Sequence, residues 1–240
     1  MGSLIHSMFD LSATSLLVRS LGLRHYQEIW QQMRNFTQQR SAETADELWL
    51  VQHPSIYTLG KRGGSDPHSG GKNYPVIASD RGGLATYHGP GQLIGYFMVD
   101  HVRLNWSAQD LVAITENFLL NVLKKHSCIG KLSKEFGPGI YTQNKKIASL
   151  GYRMTQKGSY HGFSLNIRMD LRPFSWIDPC GSNHLEVTQL ADYQSNISVT
   201  MVISSLLNLL PNHIPHRIMP LVTCSHFLQE INYGTHITAT

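Results

Sequence analysis

The sequence predicts an α+β fold: mixed or antiparallel β-sheets with helices packed on them, in a single domain. Three observations lead there. Strand-like and helix-like stretches alternate irregularly instead of repeating as strand–helix units. Two apolar runs, Gly139–Thr142 and Lys146–Met154, are joined by Gln143-Asn144, which reads as a β-hairpin. The glycine-dense stretch Arg81–Gln92, RGGLATYHGPGQ, is neither GxGxxG nor followed by GK[ST], so both common nucleotide loops of parallel α/β folds fail on spacing.

Taken in order, Ser15–Arg19 reads as a first strand and about Leu23–Arg40 as a helix. There Tyr26, Ile29, Trp30, Met33 and Phe36 recur at helical spacing and face a core. Asp46–Gln52 is a second strand, stopped by His53-Pro54 because proline cannot donate to a sheet ladder. Tyr57–Tyr74, with five glycines, reads as loop, and Pro75–Ser79 as a strand leading into Arg81–Gln92. Gln92–Val99 reads as a buried strand. Ser107 and Asp110 have capping-box spacing and open a helix to about His126, buried on Leu111, Ile114, Phe118, Leu119, Val122 and Leu123. Lys124, Lys125 and His126 in its last turn suit the helix dipole. After the hairpin come a strand over Ser159–Met169, a short irregular segment over Leu171–Ile177 and the turn Pro179-Cys180-Gly181. A last amphipathic helix spans about Ser198–Leu210. The tail, 211–240, carries no assignable pattern, and its prolines argue against a metal pair at His213 and His216.

The totals bound the function. A chain of 240 residues with 41% hydrophobic content is neither mainly disordered nor short of a core. No apolar run is long enough to span a bilayer, and the N-terminus lacks a secretory signal, so a cytoplasmic protein without a membrane partner is expected. The cysteines, Cys128, Cys180 and Cys224, show no CxxC spacing, which argues against zinc and a disulfide framework but leaves room for a reactive thiol. Net charge is +4, yet residues 101–180 hold eleven Lys and Arg against five Asp and Glu. Without a basic run this does not indicate nucleic acid; it suits steering of an acidic protein partner, and ordinary solvated lysines explain it equally.

Cys180 is the cysteine best placed to react, because Pro179 and Gly181 favour an exposed turn. A free thiol is only slightly ionised at neutral pH, so it needs a nearby cation or base. Lys145, Lys146, His88 and His161 are the candidates.

The combination of motifs sharpens this. HPSIYTLG (53–60), RGGLATYHGPGQ (81–92), GPGIY (137–141), KIASLG (146–151), HGFSLNI (161–167) and DPCG (178–181) follow one another along the chain. In order and spacing, over about 15–190, the set resembles the lipoyl(octanoyl) transferase family, the octanoyl-[acyl-carrier-protein]:protein N-octanoyltransferases of lipoate synthesis. The resemblance implies a biotin/lipoate protein ligase-like catalytic domain. It implies that Cys180 attacks the octanoyl thioester of acyl carrier protein, and that the acyl group passes to a lysine of a lipoyl domain. Such domains belong to 2-oxoacid dehydrogenases and the glycine cleavage H protein. By the family's register Lys146, not Lys145, lowers the thiol pKa.

The same resemblance implies a substrate site of Arg81, Gly82, Gly83, Leu84, Ala85, Thr86, Tyr87 and His88, then Ser149, Leu150 and Gly151, then Gly162, Phe163 and Ser164. His161 is a possible secondary base. No metal or organic cofactor is expected, and a monomer is. An ATP-dependent lipoate–protein ligase, a docking protein without activity and a thioesterase using the same cysteine remain as rivals.

Overall fold

The computed structural model describes residues 15–63, 74–133, 138–177 and 186–223. Cys180, its turn, the glycines of 64–73 and Cys224 lie outside them. Eleven strands and three α-helices are described: β1 (Ser15–Leu23), α1 (Tyr26–Gln39), β2 (Asp46–Gln52), β3 (Ile56–Leu59), β4 (Val76–Ala78), β5 (Ala85–His88), β6 (Gln92–Met98), α2 (Ala108–Lys125), β7 (Lys131–Leu132), β8 (Gly139–Thr142), β9 (Lys145–Thr155), β10 (Gly158–Asn166), α3 (Val199–Leu209) and β11 (Arg217–Thr223). Eight strands form one sheet in the order β11-β1-β2-β6-β10-β9-β8-β7, and β4-β3-β5 form a second. β1 runs parallel to β2 and β11, while β2, β6, β10, β9, β8 and β7 pair antiparallel in turn. The mixed sheet is the expected α+β architecture.

Side-chain alternation on β2 shows how the sheet is covered on both faces. Leu48 and Leu50 enter the core under α2 and α3, with Phe97, Phe118, Val122, Phe163 and Leu206. Trp49 and Val51 face the other way, against Ile29 and Met33 of α1 with Tyr96 and Tyr160. A third cluster, Tyr57, Ala85, Tyr87, Phe174 and Ile177, backs the small sheet.

Several boundaries follow their local signals. Ser107 caps α2, accepting from the Asp110 backbone while Asp110 reaches back to the cap. Gln143 and Asn144 both have positive φ, 48° and 64°, the geometry of a type I′ hairpin turn. Cys128 is fully buried, and burial pushes its thiol pKa up, which fits a structural residue.

Other expectations need correction. Leu23 ends β1 instead of starting a helix, because pairing with β2 carries the strand to Leu23 opposite Gln52. Tyr57, Thr58 and Leu59, expected in a loop, pair between β4 and β5. Within the glycine-dense stretch, Ala85–His88 forms a strand. The tail supplies β11, an edge strand parallel to β1. His216, just before it, places Nε2 2.7 Å from the fully buried Asp46, which also pairs with Arg40 and Arg103. Among the described residues no helix is long and apolar enough to cross a membrane.

Candidate active site

A cavity of about 490 Å³ opens where the small sheet meets the middle of the large one. That is the size of a small-molecule site. Its walls come from three stretches: 81–86 with His88, then 149–152 of β9, then 161–164 of β10. Ala108 and Val112 of α2, Tyr26 of α1, Ile94 and Tyr96 of β6, Lys146 and Met154 of β9, Arg62 and Pro138 complete the lining.

The first two stretches are held together by close backbone approach. Gly82 N–H donates to the Tyr152 carbonyl at 3.2 Å. A Cβ on Gly151 would stand 2.9 Å from the Gly82 carbonyl, so the contact needs glycine there.

Lys146 stands at the start of β9, where the hairpin and a bulge set its direction. Pairing shifts register between Ile140 and Tyr141, so Tyr141 faces Lys146 while Ile140 faces Ala148. Lys145 extends outward and pairs with Glu186 at 2.6 Å. Lys146 turns inward, only 7% exposed, with its Nζ 5.5 Å from the Tyr141 ring centroid. Its backbone N–H donates to the Glu186 carbonyl at 2.8 Å and its carbonyl accepts from Thr188 N–H at 2.9 Å.

The Arg81–His88 wall is a single hydrogen-bonded chain. Arg81 donates from Nε to Thr58 Oγ1 at 3.0 Å and from Nη2 to the Thr58 carbonyl at 2.5 Å. Thr58 Oγ1 lies 3.4 Å from His88 Nε2, and His88 Nδ1 donates to Gln92 Oε1 at 2.7 Å. Gln92 Nε2 donates to Asn166 Oδ1 at 2.9 Å, and Asn166 donates to the Thr188 carbonyl at 3.0 Å. This chain assigns the His88 tautomer, since an amide oxygen only accepts. Burial, then the neighbouring His53, pushes the His88 pKa down to about 3. The ring is neutral, stacked 5.9 Å from Tyr26.

His161 also lines the cavity, with Nε2 2.8 Å from Asp80 Oδ1. Tyr87 does not. Strand alternation on β5 sends it to the opposite face, where it meets Phe174 and bonds Ser55 at 2.9 Å. It therefore supports the wall from behind instead of meeting a substrate. Every other residue expected to bind substrate lines the cavity. Sequence reasoning passed over Tyr26, Tyr96, Tyr152, Thr58 and Asp80. Asp80 had a usable signal, as the residue directly before RGGLATYHGPGQ. Tyr26 and Tyr96 had none, being indistinguishable from core aromatics. Among the described residues no group of His, Cys, Asp and Glu is arranged to hold a metal.

The fold is that of solved lipoate-protein ligases. A solved structure of lipoate-protein ligase A bound with ATP superposes with a TM-score of 0.70 over 90% of this chain and 91% of that one, at 15% identity. A putative lipoate protein ligase from T. acidophilum with bound lipoic acid gives 0.67 over 92% of each chain, at 15% identity. At such identity the likeness is one of fold. The chain belongs to the lipoyl protein ligase A/B catalytic domain family, whose model matches residues 25–210. Its relatives include proteins named octanoyltransferase. One from Vibrio cholerae is 46% identical over 177 residues, covering 74% of this chain and 82% of the relative. One from Pseudomonas syringae is 43% identical over 204 residues, covering 85% and 93%.

Proposed function

We propose that this chain is an octanoyltransferase of lipoate biosynthesis. It moves an octanoyl group from acyl carrier protein to a lipoyl-domain lysine through a thioester on Cys180. The observation that carries the reading is the inward turn of Lys146 at a cavity lined by all three motif stretches. Relatives named octanoyltransferase cover most of the chain and support the choice of acyl group.

In this mechanism Lys146 shares a proton with the Cys180 thiol, and its ammonium form stabilises the thiolate. The described chain flanks the Cys180 turn at Ile177 and Glu186, and the Glu186 carbonyl accepts the Lys146 N–H, which supports their proximity. Thiolate attack on the donor thioester forms a new C–S bond and expels the carrier thiolate. Leu150, Ile94, Phe163 and Met154 offer an apolar slot, where each buried CH₂ contributes about 0.8 kcal/mol. The acceptor amine then displaces Sγ and forms an amide. Exchange between thioesters is near neutral in energy and amide formation runs downhill, so no ATP is needed.

The test is intact-mass spectrometry after incubation with octanoyl-acyl carrier protein and no nucleotide. The wild type should gain one octanoyl group and Cys180→Ser none, and an apo lipoyl domain should then become octanoylated. Labelling that survives in Cys180→Ser, or that requires ATP, would reject the mechanism. Release of free octanoate in place of domain modification would identify a thioesterase.

A further inference from the structure

The turn 60–63 is laid against the cavity wall by its own backbone. Gly60 N–H donates to the Leu84 carbonyl at 3.2 Å, Lys61 N–H to that of Arg81 at 3.0 Å and Arg62 N–H to that of Gly83 at 3.2 Å. Gly63 N–H closes the turn on the Gly60 carbonyl at 2.9 Å, and Gly63 has φ +77°. A Cβ on Gly60 would stand 2.3 Å from the Gly83 carbonyl, so only glycine permits this approach. The arrangement fixes Arg62 beside Gly83 at the edge of the cavity. Its side chain is exposed, yet it forms part of the lining.

Arg62 is one of three cations in that lining, with Arg81 and Lys146, and the described lining holds no carboxylate. Arg81 is bound to Thr58 and to the Gly82 carbonyl, and Lys146 is buried. The Arg62 guanidinium has no hydrogen bond or ion pair among the described residues. A positive mouth does little for a neutral thioester and repels a cationic acceptor amine. It favours an anion, and a guanidinium meets phosphate oxygens two at a time.

Spacing along the wall indicates which phosphate. Arg62 is bonded at Gly83, and Gly82 is bonded at Tyr152, next to Gly151. From Gly151 back to Lys146 the wall follows β9, roughly 17 Å at about 3.4 Å per residue. An acyl carrier protein presents its thioester on a phosphopantetheine arm. About thirteen bonds separate its phosphorus from its sulfur, roughly 15 Å when extended at about 3.5 Å per three bonds. A thioester placed at Lys146 therefore leaves the phosphate of its own arm at Arg62. We propose that Arg62 anchors a phosphate subsite at the cavity mouth, which holds the phosphodiester of the donor's arm. This rests on the octanoyltransferase reading. Arg62 fixes the arm and takes no part in making or breaking bonds.

Two small donors isolate the phosphate: octanoyl-phosphopantetheine and octanoyl-pantetheine differ in that group alone. Octanoyl uptake by the full chain is followed by intact-mass spectrometry over a range of donor concentrations. In the wild type the phosphorylated donor should react with a second-order rate constant about tenfold higher, as one charge-assisted contact implies. Arg62→Met should lose that preference while keeping the wild-type rate with octanoyl-pantetheine, and Arg62→Lys should retain part of it. Discharge to an apo lipoyl domain should be unchanged in both variants. ATP is another source of phosphate, and at millimolar concentration it should not slow uptake. A wild type without the preference, a preference that survives Arg62→Met, or equal slowing with both donors overturns the proposal. So does slowed discharge alone, which would assign Arg62 to the acceptor, or Arg62-dependent inhibition by ATP, which would assign it to a nucleotide. A wild type that takes octanoyl from neither small donor nor from octanoyl-acyl carrier protein overturns the octanoyltransferase reading instead.

Discussion

Lys145 and Lys146 are neighbours of one chemistry that the fold sends to different surroundings. One is 45% exposed along its side chain and paired with Glu186; the other is buried at the cavity. If Lys146 stabilises the Cys180 thiolate, Lys146→Met should slow iodoacetamide alkylation of that thiol at pH 7 by about tenfold or more, a shift of one pKa unit or more. Lys145→Met should leave the rate alone, because its ion pair with Glu186 is exposed and screened by solvent. Equal slowing in both variants would refute the assignment. At this scale residue type alone left Lys145, Lys146, His88 and His161 open as partners of the thiol; the family resemblance chose Lys146 and named stretches that line the cavity. The Asp80–His161 contact was not legible. It joins residues far apart in sequence through a backbone angle, φ +62° at His161, that no residue type announces.

Among the elements, the β8–β9 hairpin has the most direct bearing on the site, since its turn lies just before Lys146. Asn144 holds φ 64°, which asparagine accepts and a β-branched residue resists. Asn144→Val should therefore destabilise the protein by about 1–3 kcal/mol in urea unfolding, whereas Asn144→Gly should be near neutral. A valine variant as stable as the parent would contradict the turn assignment. Elements with local signals were readable: the capped α2, the hairpin, and β2 ending before proline. β3, β5 and β11 were not. Tyr57–Leu59 and Ala85–His88 sit among glycines and become strands only by pairing with each other, and β11 forms only because β1 offers it an edge.

Over the whole molecule, buried histidines make stability depend on pH. Burial is the main cause that pushes His53 down to about 4 and His88 to about 3, from an ordinary value near 6.5. Both rings are neutral in the fold, while the unfolded chain takes up protons as pH falls below about 6.5. Their contribution is thus complete above that pH and is lost as pH drops toward the folded values. The slope approaches about 1.4 kcal/mol per pH unit for each ring. Urea midpoints measured from pH 7 to 4.5 should fall steadily, and His88→Gln should flatten the trend. A level profile in the parent would rule this out.

The division between what was legible and what was not has one physical origin. Apolar period, capping residues and turn dipeptides act over a few neighbours, so the α+β class and the main helices could be read along the chain, while most of the cavity wall was reached through the family resemblance. Which face Tyr87 takes, how Lys146 turns inward and what holds His161 depend on register, a bulge and a positive φ. These arise from contacts between distant segments, and only the folded chain brings those segments together.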